Sequence, residues 1–133
     1  MAKTTNDLVF DGFMNYIAGV AVSPDVTNDR DLCVCSTQPT TRTEAITTYM
    51  LAKTTLVKST DFTIADDTVS PYGRKITTTE KIGVSVTNSG TAAFVAICDG
   101  TNLLIVTTCT SQALTAGNTV TIPAFKAQVG DPT

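Results

Sequence analysis

AAFVAIC (92–98) and LLIVTTC (103–109), joined by DGTN (99–102), decide how this chain of 133 residues is read. The two apolar runs read as strands, and the Asp99-Gly100 step between them is a strong hairpin-turn signal. A tight register places Phe94, Ala96 and Cys98 beside Leu103 and Ile105 on one face. Val95 and Ile97 then lie beside Leu104 and Val106 on the other. Both faces are apolar, so the hairpin is expected to be central and covered on both sides. A second layer is therefore required, and the expected fold is all-β, mainly antiparallel, as a sandwich or a closed barrel.

Downstream, CTSQALTAGNTVTIPAF (109–125) carries a turn with Gly117 and then an alternating strand with Val120 and Ile122 on one side. Pro123 cannot donate to a ladder, so it marks an edge, a bulge or a strand end. FKAQV (125–129) reads as a last short strand before Gly130-Asp131-Pro132. Upstream, LCVCS (32–36) is a short strand and QPTTRTEA (38–45) a loop or a short helical turn. Further strands are expected in MLAKTTLVKS (50–59), DFTI (61–64), RKITTTE (74–80) and GVSVTN (83–88). TIADDTVSPYG (63–73) reads as the long loop among them, and Asn88-Ser89-Gly90 as a turn.

The start of the chain is different. In NDLVFDGFMNYIA (6–18), Asn6 or Asp7 can cap a helix, and Val9, Phe13, Tyr16, Ile17 and Val20 follow helical spacing. Gly19 is a natural stop, and the helix could cover a sheet face of its own domain, the preferred reading, or dock on a neighbour. VSPDVTNDRD (22–31) is a turn-rich connection. The organisation expected is a single β-rich domain over 1–133, with one short N-terminal helix (6–18) and a sandwich or barrel over 32–130.

Composition narrows the function. Charged residues make up 16% of the chain, against about a quarter in ordinary domains. Threonine fills the gap with 27 residues; its branched Cβ favours strands, and its hydroxyl keeps an outward face wet without charge. The net charge is −3 and the nine Lys and Arg are dispersed, so no basic stripe is available to neutralise phosphates, and no nucleic-acid partner is expected. No apolar run approaches the roughly 20 residues of a membrane span, so no membrane partner is expected either. MAKTTNDLVFDGF lacks a basic region followed by an apolar one, so the chain is expected to be made in the cytosol and to stay there unless carried out.

Chemistry-bearing residues are sparse. The chain has no His, so a Ser or Cys nucleophile lacks its usual base. Asp66-Asp67, with Asp61 nearby, could place oxygens around Ca²⁺, but without calcium-loop spacing they read as a solvated loop. No enzyme activity, cofactor or metal is expected. The four cysteines draw most notice. Cys33 and Cys35 are two apart on a strand and point the same way, in a C-x-C pattern that is not the C-x-x-C of redox or zinc sites. Cys98 sits beside the hairpin turn and Cys109 at its far end, too distant to bond to each other. Three readings stay open: buried small thiols, late-forming bridges from the Cys33/Cys35 strand to the hairpin or between subunits, and a four-cysteine metal site.

VCSTQPTTRTEA (34–45) followed by YMLA (49–52), DFTIADDTVSPYGRKIT (61–77), LLIVTTCTSQALTAGNTVTIPAF (103–125) and DPT (131–133) together resemble small virion structural proteins of tailed bacteriophages. The resemblance spans roughly residues 32–133 and is one of strands and turns. It implies a non-enzymatic virion role, most simply an auxiliary capsid or decoration protein that binds and stabilises the major capsid shell. Its partners would be the major capsid protein or other virion proteins. A homo-oligomer, trimeric by preference, is expected from shell geometry. A tail, neck or fibre-associated component contacting the host surface through loops 23–31 and 63–73 is the alternative. A carbohydrate-binding β module would need concave aromatic residues, and the five Phe and three Tyr stand mostly at core-like positions.

Overall fold

The structure is a computed structural model and describes residues 12, 14–15, 17–19, 29–69 and 73–130. The strands of these residues are β1 (Arg30–Cys35), β2 (Met50–Leu56), β3 (Phe62–Asp66), β4 (Arg74–Thr78), β5 (Lys81–Ser85), β6 (Gly90–Cys98), β7 (Leu103–Leu114), β8 (Thr119–Ile122) and β9 (Lys126–Val129). They form a four-stranded sheet in the order β2-β1-β6-β7, a three-stranded sheet β3-β4-β9 and a two-stranded ribbon β5-β8. Every pairing is antiparallel. Among the described residues the sheets do not close into a barrel, so the fold is all-β and sandwich-like.

Strand β1 explains the layering. None of its six residues is exposed, which is possible only for a central strand covered on both faces. Leu32 and Val34 point into the main core, where Leu56, Val95 and Ile97 of the same sheet meet Phe62 and Ile76 of the second sheet and Val84 and Ile122 of the ribbon. Cys33 and Cys35 point the opposite way, into a smaller core with Ala45, Ala96 and Cys98. The cover on that side comes from the connection between β1 and β2, which carries a five-residue π-helical turn, Glu44–Thr48. Of the loop or short helical turn expected over 38–45, a turn forms, but it overlaps only the end of that span and runs on to Thr48. Its start is tied by the Glu44 carboxylate, which accepts from the backbone N–H (2.7 Å) and hydroxyl (2.8 Å) of Thr40.

The N-terminal helix expected over 6–18 is seen in part. Residues 12, 14, 15, 17 and 18 are helical, and the remainder of that span lies outside the described residues. Met14, Ile17 and Ala18 are buried in the main core, so this piece packs on its own sheet. Gly19 follows with φ +73°, the left-handed geometry that ends helices. The freed carbonyls find partners at once. Arg30, fully buried, donates from Nε to the Ile17 carbonyl at 2.9 Å. The Ser59 N–H donates to the Ala18 carbonyl at 3.0 Å. A buried arginine is thereby used to cap a helix and to lock it to the start of β1.

Three expectations are corrected. First, the β6–β7 hairpin forms across Asp99–Asn102, but its register differs from the tight one. Ile97 pairs with Ile105 and Ala96 with Val106, while Cys98 pairs with Leu103. Leu104 is bulged out beside the turn, and a one-residue slip exchanges the faces of everything beyond it. Second, of the two hairpin strands only β6 is central, because β7 is the outer strand of its sheet and Leu103–Thr107 are half-exposed. Apolarity on both faces of β7 therefore does not signal full cover. Third, the long loop expected over 63–73 starts later, since the strand expected over 61–64 runs on as Phe62–Asp66 (β3) and pairs along its whole length with Arg74–Thr78. Threonine and alternating Ile64 make that segment a strand in spite of the aspartate at its end.

Candidate functional site

The cysteines divide between the two faces of the large sheet. In the β1–β6 pairing Asp31 faces Cys98 and Cys33 faces Ala96, so Cys33 and Cys98 are diagonal neighbours. Their thiols hydrogen-bond each other, and this bond, with burial, pushes Cys33 above the ordinary thiol range. Accepting the bond pulls Cys98 the other way, with help from the Arg42 guanidinium. Cys35 donates to the Ala45 carbonyl at 3.5 Å, and burial pushes its pKa up to about 12. Cys109 is on the opposite face, partly exposed and packed against the main core, with its thiol raised by burial. The four sulfurs therefore do not converge, and all four are free thiols. Among the described residues no group of three His, Cys, Asp or Glu is placed to hold a metal ion.

The carboxylates are engaged by neighbouring cations. Asp66 pairs with Arg74 at 2.7 Å, and Asp67, its side chain fully covered, meets Lys126 at 3.0 Å and Lys75 at 3.8 Å. These contacts stitch β3 to β4 and β9. The Lys126 hydrogen bond, chiefly, holds the Asp67 carboxyl below its usual range. Asp61 takes Lys81 at 2.6 Å, the Thr79 hydroxyl at 2.7 Å and the Val57 N–H at 2.7 Å. Burial alone would raise Asp61, and these donors outweigh it. Asp66, Asp67 and Asp61 are thus three separate ion pairs and do not form one acidic cluster. Asp99 closes the hairpin turn by accepting from the N–H groups of Thr101 and Asn102 at 2.6 and 2.5 Å. Arg42 reaches from the covering connection to the Asp99 carbonyl at 2.7 Å and to Asp31 at 3.5 Å. It clamps the thiol side of the sheet.

A different kind of surface lies along β7 and β8. Residues 100–125 include no charged side chain. They supply an outer strand whose Leu103, Leu104, Ile105 and Val106 are all partly exposed, followed by a polar stretch of Thr, Ser and Gln. Where β7 faces the start of β6, Ala92 pairs with Gln112 and Phe94 with Thr108, so Cys109–Ser111 oppose the single residue Ala93. Bulges of this kind bend a strand and re-aim its side chains. Here the bulge opens a cavity of about 170 Å³ lined by Val34, Val95, Cys109, Thr110, Val120 and Ile122, among others. Strand β8 forms one wall and ends just before Pro123, as the sequence implied.

Strand β5, which pairs with β8, carries a further bulge. Lys81 pairs with Ile122 and Val84 with Val120, leaving one extra residue on β5. Gly83 absorbs it with φ +70°. Val84 remains buried, and Ile82 is turned outward to 77% exposure. Without the bulge, Ile82 and Val84 would share a face. The sequence reading did not single out Ile82; the glycine directly after it, inside a strand pattern, was the available sign of a bulge.

No helix among the described residues is long and apolar enough to cross a membrane, which says nothing of strands. Comparison of the chain with protein-family models, with curated proteins and with solved structures returns no match.

Proposed function

We propose that the protein is a structural, non-enzymatic component of a tailed-phage virion, an auxiliary capsid or decoration protein that binds and stabilises the major capsid shell. The observation that supports this reading most is the uncharged flank made by residues 100–125. A surface of half-exposed aliphatic side chains and hydroxyl or amide groups can be buried against another protein without stripping water from a charge, the costliest step in forming an interface. The Asp66, Asp67 and Asp61 carboxylates, meanwhile, are committed to ion pairs that brace the second sheet. The phage-like blocks within 32–133 agree with this role. Partners are the major capsid protein or other virion proteins, and the chain itself is a homo-oligomer, with a trimer favoured by shell symmetry. Many copies bound at equivalent sites add small free energies into a large one. Nucleic acid and membrane are not partners in this reading.

The experiment is a copy count on purified virions by quantitative gel analysis, paired with particle heat resistance after deletion of the gene. Hundreds of copies, with particles that break at lower temperature when the protein is missing, agree with the proposal. A dozen copies or fewer, with loss of adsorption, overturn it in favour of a tail, neck or fibre component.

A further inference from the structure

We propose that Cys33 and Cys98 form an intrachain disulfide when the chain passes into an oxidising medium, and that this bond opens again under reducing conditions. The bond staples the central strands β1 and β6 to each other beside the hairpin turn. It does not depend on the virion reading, because it belongs to the isolated chain and is tested there.

Of the bridges open to the four cysteines, the strand register selects this one. Cys33 pairs with Ala96 and Asp31 with Cys98, so the two thiols are diagonal neighbours on one face of adjacent strands. Both are fully buried in the smaller core, and their thiols hydrogen-bond each other. Cys35 pairs with Phe94, and at about 3.3 Å per residue that places it about 13 Å along the sheet from Cys98. Cys33 and Cys35 stand side by side on one extended strand, where their Cα–Cβ directions run parallel and do not converge on a bond. Cys109 is on the opposite face, packed against the main core.

The same register makes the bond reversible. Diagonal neighbours have Cα atoms about 7–8 Å apart, whereas a relaxed disulfide spans about 4.4–6.8 Å, so closure draws the strands together by about 1 Å. The chain can yield here, because Cys98 is the last residue of β6 and its pairing with β7 already shifts between Ile97 and Cys98. Strained disulfides are the ones that a thiol pool reopens. The surroundings also assign the roles. Cys98 accepts the hydrogen bond from Cys33 and feels the Arg42 guanidinium, so it is the attacking thiolate. Cys33, pushed up by that contact and by burial, gives up its proton in the second step. With oxidised glutathione as co-reactant, the Cys98 sulfur attacks one glutathione sulfur and releases the other as a thiolate. Deprotonated Cys33 then attacks the Cys98 sulfur and releases the second. The two protein thiols lose two electrons, and one glutathione disulfide becomes two thiols. Access comes during folding, or when the connection carrying the five-residue turn lifts from this face.

The test is refolding of the full chain from urea into mixtures of reduced and oxidised glutathione, started from the reduced and from the oxidised protein so that equilibrium is approached from both sides. Free thiols are blocked with iodoacetamide and the bonds located by peptide mass mapping. The expected product in the oxidising mixture holds a Cys33–Cys98 bond within one chain and keeps Cys35 and Cys109 free. In a large excess of reduced glutathione the bond is gone. Cys109→Ser should leave this pattern unchanged, and Cys33→Ala or Cys98→Ala should each abolish the intrachain bond. Prolonged treatment of the native chain with diamide, which the two thiols reduce to its hydrazine, gives the same mapping without a refolding step. Absence of the bond under both treatments overturns the proposal, as does a bond that joins other cysteines or two chains. A Cys33–Cys98 bond that persists in the reducing mixture from both starting forms overturns it equally, since such a bond would be a permanent staple.

Discussion

Replacing Gly19 by alanine tests how the first helix is joined to the sheet. The residue sits at φ +73°, and a Cβ there would lie 2.8 Å from the Lys58 Cβ and 3.1 Å from the Arg30 Cζ. Left-handed backbone costs a side chain about 1–2 kcal/mol. Overpacking against a neighbour that cannot swing away adds about 1–3 kcal/mol, since Lys58 Cβ is fixed to its own backbone. The stiffer unfolded chain returns about 0.4–1 kcal/mol. The net expectation is a loss of about 2–4 kcal/mol, or roughly 6–16 °C in Tm for a chain of this size. Two other glycines separate the contributions. Gly117 has φ +91° and open space around its Cβ direction, so Gly117→Ala should cost only about 0.5–1 kcal/mol. Gly12 is helical with open space, so Gly12→Ala should stabilise by about 0.5–1 kcal/mol. Urea unfolding of the three variants, with m unchanged, gives the differences directly. If Gly19→Ala is no more harmful than Gly117→Ala, the close approach of Arg30 and Lys58 around the helix end is wrong.

Two further outcomes follow from the ionisable groups. Asp61, Asp67 and Asp99 are held below their ordinary value of 3.8 in the folded chain. Their stabilising contribution is therefore complete above about pH 4 and is lost as pH falls through the lower folded values. Asp61→Asn should flatten this acid limb in a pH series of urea midpoints, and an unchanged limb would refute the assignment. A thiol titration should find one slowly reacting group, Cys109, in the native protein and four after denaturation. Rapid reaction of two or more in the native state would mean that the layer over Cys33, Cys35 and Cys98 is not closed.

The buried Arg30 secures the main-core side of the sheet and the clamp through Arg42 the thiol side. Arg30 joins helix end to β1, and Arg42 joins the β1–β2 connection to the hairpin turn. Between them they hold both covers on the central strands. A small sheet covered by irregular chain on one face needs such ties, because a single five-residue helical turn buries little surface alone.

Much of the architecture was readable from local pattern. The alternation in LCVCS assigns Cys33 and Cys35 to one face and Leu32 and Val34 to the other, and Asp99-Gly100 places the hairpin turn, because these depend on period and turn chemistry alone. Pro123 marks the end of β8 for the same local reason. What local pattern cannot supply is register and neighbourhood. The bulges at Leu104, at Cys109–Ser111 and at Gly83 depend on what each strand must meet across the core, and each one reassigns faces that an unbroken alternation would predict otherwise. Likewise LLIV reads the same in a central strand as in an outer one. Only the assembled sheet reveals that β7 has a neighbour on one side, that Arg30 ends a helix thirteen residues away at Ile17, and that Ile82 stands outside beside an apolar cavity. Those contacts are long-range, and their free energy resides in pairs of segments that no single stretch of sequence contains.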